Sequence, residues 1–407
     1  MTSAKLATKH HSKLRRFQQI ALIVAFIAII YLPGIGMIVR PKETPSQGDW
    51  EENRSLPKFS WKLSSIISYP KDFGEYFRFN FGFRRTLIHW HTQLAGKAMD
   101  QSSSSQVVEG KNGWLFYGQQ YTVDDYRGLN PFTPEQLQQW QYVLERQRDW
   151  LAEMGIPFLF IVCPDKHTVY PEYMPDRLNR VHDRTRFDQF VQYMKKNSTV
   201  EILDLRPTLW DWKTRYRCYQ PQETHWNGIG AFAAYQQIIQ RLRTWYPGLR
   251  PIEIDECSFY QRQNPTTDLL HLQGKQNIVT SLDALNPTEG FACKLWTDVN
   301  EVRTDGSTAL YSQRDGAPIR KALMICDSFS SLMMPFLAEH FVDAKYVWGG
   351  GNSFLAQDVL DWQPDIVLQE IVERGLCEIT PRAFEMPGAT PEDPNVRPET
   401  EVSASPP

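Results

Sequence analysis

The chain opens on its longest apolar run. Residues 20–39 (IALIVAFIAIIYLPGIGMIV) carry no charge, and at about 1.5 Å per residue a helix of this length can cross a hydrocarbon core of about 30 Å. Further along, short apolar runs at 156–163 (IPFLFIVC), 200–205, 322–326, 344–348 and 366–372 suit strands of a sheet buried on both faces. Between them, apolar residues recur at helical spacing over 183–196, 228–244 and 329–340. One more helix is predicted from Thr133, an N-cap residue followed by Pro134 at the first helical position and Glu135 in the first turn. Leu137, Trp140, Leu144, Trp150 and Leu151 keep near-helical spacing as far as Gly155. Strands alternating with helices predict an α/β domain, a parallel sheet with helices on both faces. The stretch 256–320 is the least periodic and is expected to be an insertion or an elaborated loop.

Charge gives the first run a direction. Lys5, Lys9, Lys13, Arg15 and Arg16 precede it, whereas only Arg40 and Lys42 closely follow. This asymmetry predicts a cytoplasmic basic segment (1–19), a signal anchor (20–39) and an extracytoplasmic remainder, periplasmic in a bacterium. A cleaved signal peptide is the alternative, but its apolar stretch is shorter and ends at a small-x-small site. Here the run is long, contains Pro33 and lacks a clear A-x-A site. Residues 40–50 read as a stalk, 51–386 as the exported domain, and 387–407 as a proline-rich disordered tail with almost no apolar content.

Composition narrows the function classes. With 42 % hydrophobic and 22 % charged residues the chain is ordinary globular protein, and a net charge of -3 lacks the basic footprint of a nucleic-acid binder. The absence of HExxH, P-loop and GxGxxG patterns leaves metal hydrolysis, nucleotide use and dinucleotide binding without support, so neither metal nor cofactor is expected. Six scattered cysteines form no CxxC pair. Cys163 and Cys326 end strand-like runs and read as buried thiols; export would permit disulfides among Cys218, Cys257, Cys293 and Cys377, with the pairing open.

Two segments can carry chemistry. In Glu223-Thr-His225-Trp226, a carboxylate two residues before a histidine in extended chain projects to the same side. There it can hold one ring nitrogen and leave the other as a base. In Cys326-Asp327-Ser328-Phe329, a serine stands where a buried strand meets a helix, with the Ser328 and Phe329 N–H groups directed at an oxyanion. Asp-Ser ahead of a helix is equally an ordinary N-cap, and a histidine beside a glutamate is equally a satisfied pair. Each segment supplies what the other lacks.

In their order, these segments resemble the SGNH-type acetyltransferases of the alginate O-acetylation (AlgJ/AlgX) family, in which a D-x-H-W segment precedes a G-D-S segment. ENR (52–54), FGFR (81–84), GWLFY (113–117), PDKHTVYPEYMP (164–175) and PDIVLQEIVER (364–374) extend the likeness over about 50–385. One anchor followed by a single such domain is closest to the AlgJ layout. The resemblance implies an SGNH-like α/β fold, with Ser328 as nucleophile, His225 as base and Glu223 orienting it. It implies acetyl transfer through an acyl-enzyme onto an exported polysaccharide, the acetyl arriving from a multi-pass membrane acyltransferase of the MBOAT class. Acetylesterase activity at the same residues, or a non-catalytic polysaccharide-binding scaffold, are the rival readings. Two positions depart from the family: Glu223 replaces its Asp, and Cys326 replaces the Gly of G-D-S. Further candidates for substrate or oxyanion contact are Lys166 with His167, Trp226, Asp327 and Asn352 in the Gly349–Asn352 turn. Glu373 and Arg374 read as a structural ion pair.

Overall fold

The computed structural model describes residues 106–264, 267–275, 278, 280–297, 308–349, 354 and 356–378, with isolated residues between 19 and 77. Of the 20–39 run only Ile20, Leu22, Phe26 and Tyr31 are described, as helical and exposed. Among the described residues no helix is long and apolar enough to cross a membrane. The stalk and the tail lie outside the described residues. Residues 104–272 and 276–407 form one compact unit, residues 1–103 and 273–275 another.

The larger unit is a three-layer α/β domain. Its strands are β1 (Val107–Glu109), β2 (Leu115–Tyr117), β3 (Phe158–Cys163), β4 (Ile202–Asp204), β5 (Cys257–Asn264), β6 (Thr280–Pro287), β7 (Lys294–Thr297), β8 (Thr308–Gln313), β9 (Ile319–Cys326), β10 (Phe341–Trp348) and β11 (Ile366–Val372). The central sheet has the order β4-β3-β11-β9-β10-β8-β7. Its first five strands are parallel, as the unbroken apolar runs require, but β8 pairs antiparallel with β10, and β7 with β8. The sheet is therefore mixed rather than parallel throughout. The antiparallel edge comes from the aperiodic 256–320 stretch, where β8 mixes exposed, half-buried and buried residues instead of running apolar. From the same stretch, β5 and β6 pair as a separate antiparallel ribbon.

Strand alternation divides the core in two. Leu159, Ile161 and Cys163 of β3 face one side with the helix α3 (Gly228–Leu242), while Phe158, Phe160 and Val162 face the other with α1 (Pro134–Glu153) and α2 (Arg186–Asn197). Helix starts follow local rules. Thr133 and Gln136 form a capping box on α1, and Thr185 and Asp188 form another on α2. The segment expected as one helix over 329–340 is instead a 3-10 turn (Ser328–Leu332) followed by a short helix (Met334–Ala338). Pro335 has no N–H to continue the first turn, so the helix must restart around it. Cys163, Cys218, Cys257, Cys293 and Cys326 are all free thiols, and Cys163 and Cys326 are fully buried.

Candidate active site

Parallel strands gather their C-terminal ends on one edge, and that edge carries the site. Cys163 pairs with Val372 and Cys326 with Trp348, so Asp165, Ser328 and Arg374 all leave the sheet there. His225 reaches the same edge from a different direction. Its segment is fixed by a bridge between Tyr219 and Trp226 and by Asn227, the N-cap of α3, which accepts from the N–H groups of Ile229 and Gly230 at 3.1 and 3.0 Å. A Cβ on Gly230 would lie 2.4 Å from the Cys218 carbonyl oxygen, so only glycine permits this close seating of the helix start.

The two segments then meet. His225 Nε2 stands 2.8 Å from Ser328 Oγ, and His225 Nδ1 stands 3.1 Å from Glu223 Oε1. Burial opposes a charge on His225, but the hydrogen bond to Glu223 and the negative charges of Asp268 and Glu223 outweigh it, so its pKa is raised. Burial, reinforced by the neighbouring Asp268 carboxylate, pushes Glu223 up to about 7.

Against known proteins, residues 107–282 match the model of a family described as "SGNH hydrolase-like domain, acetyltransferase AlgX". Over those residues the chain is similar to the SGNH-like acetyltransferase domain of that family. The matched residues include Glu223 and His225 and end before Ser328. Bacillus cereus PatB1, solved with a sulfonyl adduct, is 17% identical, with a TM-score of 0.51 over 69% of this chain and 100% of that one. The O-acetyltransferase domain of Pseudomonas putida AlgJ is 20% identical, with a TM-score of 0.44 over 67% and 92%. At such identities the likeness is one of fold. No curated protein matches the chain.

Around Glu223, His225 and Ser328, several residues make contacts other than those their sequence positions suggest. Lys166, a candidate for substrate contact, has its ammonium turned to backbone carbonyls. It is buried, and its ammonium donates to the carbonyls of Gln220, Pro221 and Glu223 at 3.2, 3.0 and 2.7 Å, flanked by the rings of Trp114 and Phe116. It thus ties down the loop that delivers His225, although burial lowers its pKa to about 7. His167 is buried edge-on to Tyr126 and, pushed down to about 4 by burial, is neutral at physiological pH. Trp226 is a clamp: almost fully buried, it donates from Nε1 to the Phe329 carbonyl at 2.9 Å and so pins the histidine segment to the serine segment.

Phe329 does not offer its N–H to an oxyanion, because Asp327 Oδ1 accepts it at 2.9 Å. Asp327 is the N-cap of the turn, and its other oxygen accepts from Val372 N at 2.7 Å. Asn352 lies outside the described residues. Cys326 fits where a glycine was expected by turning its thiol into the core, toward the Val347 carbonyl at 3.6 Å. Arg374 pairs with Asp165 at 2.5 Å, not with Glu373, and its guanidinium lies 5.3 Å from the Phe329 ring centre. Glu373 instead accepts from Asp165 N and Thr168 Oγ1. Glu373 and Arg374 both lie in the turn that follows β11, where Asp165 and Thr168 from the segment after β3 take up their side chains.

Two further groups had no sequence signal. Glu370, fully buried in β11, accepts from Asp327 N at 3.0 Å and Ser330 Oγ at 2.7 Å, and burial raises its pKa well above the usual carboxylate range. Asp268 stands 3.7 Å from His225 Nδ1.

Proposed function

We propose that this domain is a serine O-acetyltransferase with Ser328, His225 and Glu223 as its working residues. The 2.8 Å contact between His225 Nε2 and Ser328 Oγ carries the reading. Ser328 Oγ attacks the carbonyl carbon of an acetyl donor as its proton passes to His225 Nε2. Collapse of the tetrahedral adduct expels the donor's leaving group, protonated by His225, and leaves an acetyl ester on Ser328. A hydroxyl of the acceptor then gives its proton to His225, attacks the ester, and departs acetylated as Ser328 regains its proton. Glu223 holds Nδ1–H throughout and stabilises the imidazolium.

By family likeness the acceptor is a polysaccharide outside the cytoplasm, and the acetyl group comes from a multi-pass membrane acyltransferase. Incubation with an acetyl ester and an oligosaccharide acceptor tests this. Acetylated oligosaccharide by mass spectrometry is the expected product; free acetate alone would make the domain an esterase, and no turnover would make it a scaffold.

Because the base must be neutral, the raised pKa of His225 sets the acid limit of activity. Protonated His225 cannot accept the serine proton, so kcat/KM should fall with a midpoint above about pH 6.5, the free-histidine value. A midpoint below about pH 6 would contradict the charge environment assigned to His225.

The basic flank before residue 20 supports a single-pass anchor with the catalytic domain outside the cytoplasm. A reporter enzyme fused after residue 386 should work only on that far side. Cytoplasmic activity of the fusion, or a mature chain beginning near residue 40, would overturn the anchor.

A further inference from the structure

We infer that Asp268 is a second carboxylate serving His225, a positioning residue that shares with Glu223 the task of holding the Nδ1 side of the imidazole. The inference rests on the serine-acyltransferase reading above and adds a residue to it. Asp268 comes from outside the Glu223-to-Trp226 segment, 45 residues further along the chain, yet it is built into the site. Its Oδ1 accepts the backbone N–H of Thr224 at 2.8 Å, the residue between the glutamate and the histidine. Its own N–H faces Glu223 Oε2 at 3.4 Å, and Oδ1 also caps Leu269 N at 2.6 Å. With Oδ1 so occupied, Oδ2 is turned to the ring and stands 3.7 Å from Nδ1. The short helix Asp268–Leu272 is held in place by Leu269 and Leu270, which are buried against Val107 and Leu115.

Two carboxylates facing one imidazole do what one cannot. Glu223 takes the hydrogen bond, and Asp268 adds negative charge where the imidazolium forms during each proton transfer. The two repel one another, and the negative charge of Asp268 adds to the burial that raises Glu223. The other charged groups facing this cluster are Lys166, which favours ionised Glu223 and Asp268, and Arg374, which opposes a charge on His225. Removing the charge of Asp268 takes away an influence that raises both Glu223 and His225. Activity should then persist to lower pH.

The test uses the full chain, with 4-nitrophenyl acetate as substrate and phenylmethylsulfonyl fluoride as serine label. Asp268→Asn keeps an oxygen for the Thr224 N–H but no charge, and should move the acid limb of kcat/KM down by about 1 pH unit. Asp268→Asn and Glu223→Gln should each keep turnover within about 30-fold of the parent, because one carboxylate remains. The double variant should lose about 10³-fold or more, approaching His225→Ala. An unmoved acid limb, with the double variant no worse than Glu223→Gln, would reduce Asp268 to a backbone cap and end the proposal. The same three side chains lie close enough to hold a metal ion; loss of turnover on adding EDTA would overturn the proposal in favour of that role. Labelled Ser328 with an unchanged pH profile defeats Asp268 alone, whereas unlabelled Ser328 and an active Ser328→Ala variant defeat the serine mechanism and this proposal with it.

Discussion

Ser328→Ala is expected to reduce acetyl-ester turnover by roughly 10⁴-fold or more while leaving the fold intact. The size of the effect follows from what the hydroxyl does. In the proposed mechanism it is the atom that bonds to the acetyl group, and no other hydroxyl stands against His225 Nε2 among the described residues. The small effect on stability follows from what surrounds it. Ser328 is partly exposed, and the turn it begins is capped by Asp327, so alanine removes one hydrogen bond and no cap, a loss of about 1 kcal/mol. Two measurements check this together. Release of 4-nitrophenol should fall to background, and intact mass after phenylmethylsulfonyl fluoride should show one sulfonyl group on the parent and none on the variant. A variant that still turns over, or is still labelled at the same site, would remove Ser328 from the mechanism.

Asp327→Ala should produce the largest loss of stability at the site, about 3–5 kcal/mol. The carboxylate joins two elements at the sheet edge: Oδ1 accepts Phe329 N at 2.9 Å and Oδ2 accepts Val372 N at 2.7 Å. Alanine would orphan both buried N–H groups at about 1–3 kcal/mol each, the bond to Phe329 N being also the N-cap of the turn. Arg374, whose charge is favoured by Asp165 and Asp327, would lose part of its support. Asp327→Asn retains one acceptor oxygen and should lose about half as much. Urea unfolding midpoints of the three proteins decide the matter; an alanine variant within about 1 kcal/mol of the parent would mean that these N–H groups find other partners.

Much of this was legible before folding because it is local. The buried strands declared themselves as unbroken apolar runs, α1 and α2 by periodicity and N-cap chemistry, and the histidine and serine segments by residue types that have few other reasons to sit at a strand end. The mixed character of the sheet was hidden because β7 and β8 are short and partly exposed, so their pattern does not differ from that of a loop.

The supporting residues show the other limit. Lys166, after a strand end, was a candidate for substrate contact, because nothing in its neighbours says that the carbonyls of Gln220, Pro221 and Glu223 will surround it. Trp226 was a candidate for substrate or oxyanion contact, and its N–H is taken by the Phe329 carbonyl. Arg374 beside Glu373 looked like an ion pair, but Asp165 holds it from the segment that follows β3. The sequence by itself determined the α/β layering, the sheet edge on which chemistry would be placed, and the serine, histidine and glutamate brought there, since these depend on hydrophobic period and residue type. Only the tertiary structure decided which polar groups answer one another, Asp268 to His225 and Asp327 to Val372, because a hydrogen bond between distant segments depends on register and burial that no local pattern encodes.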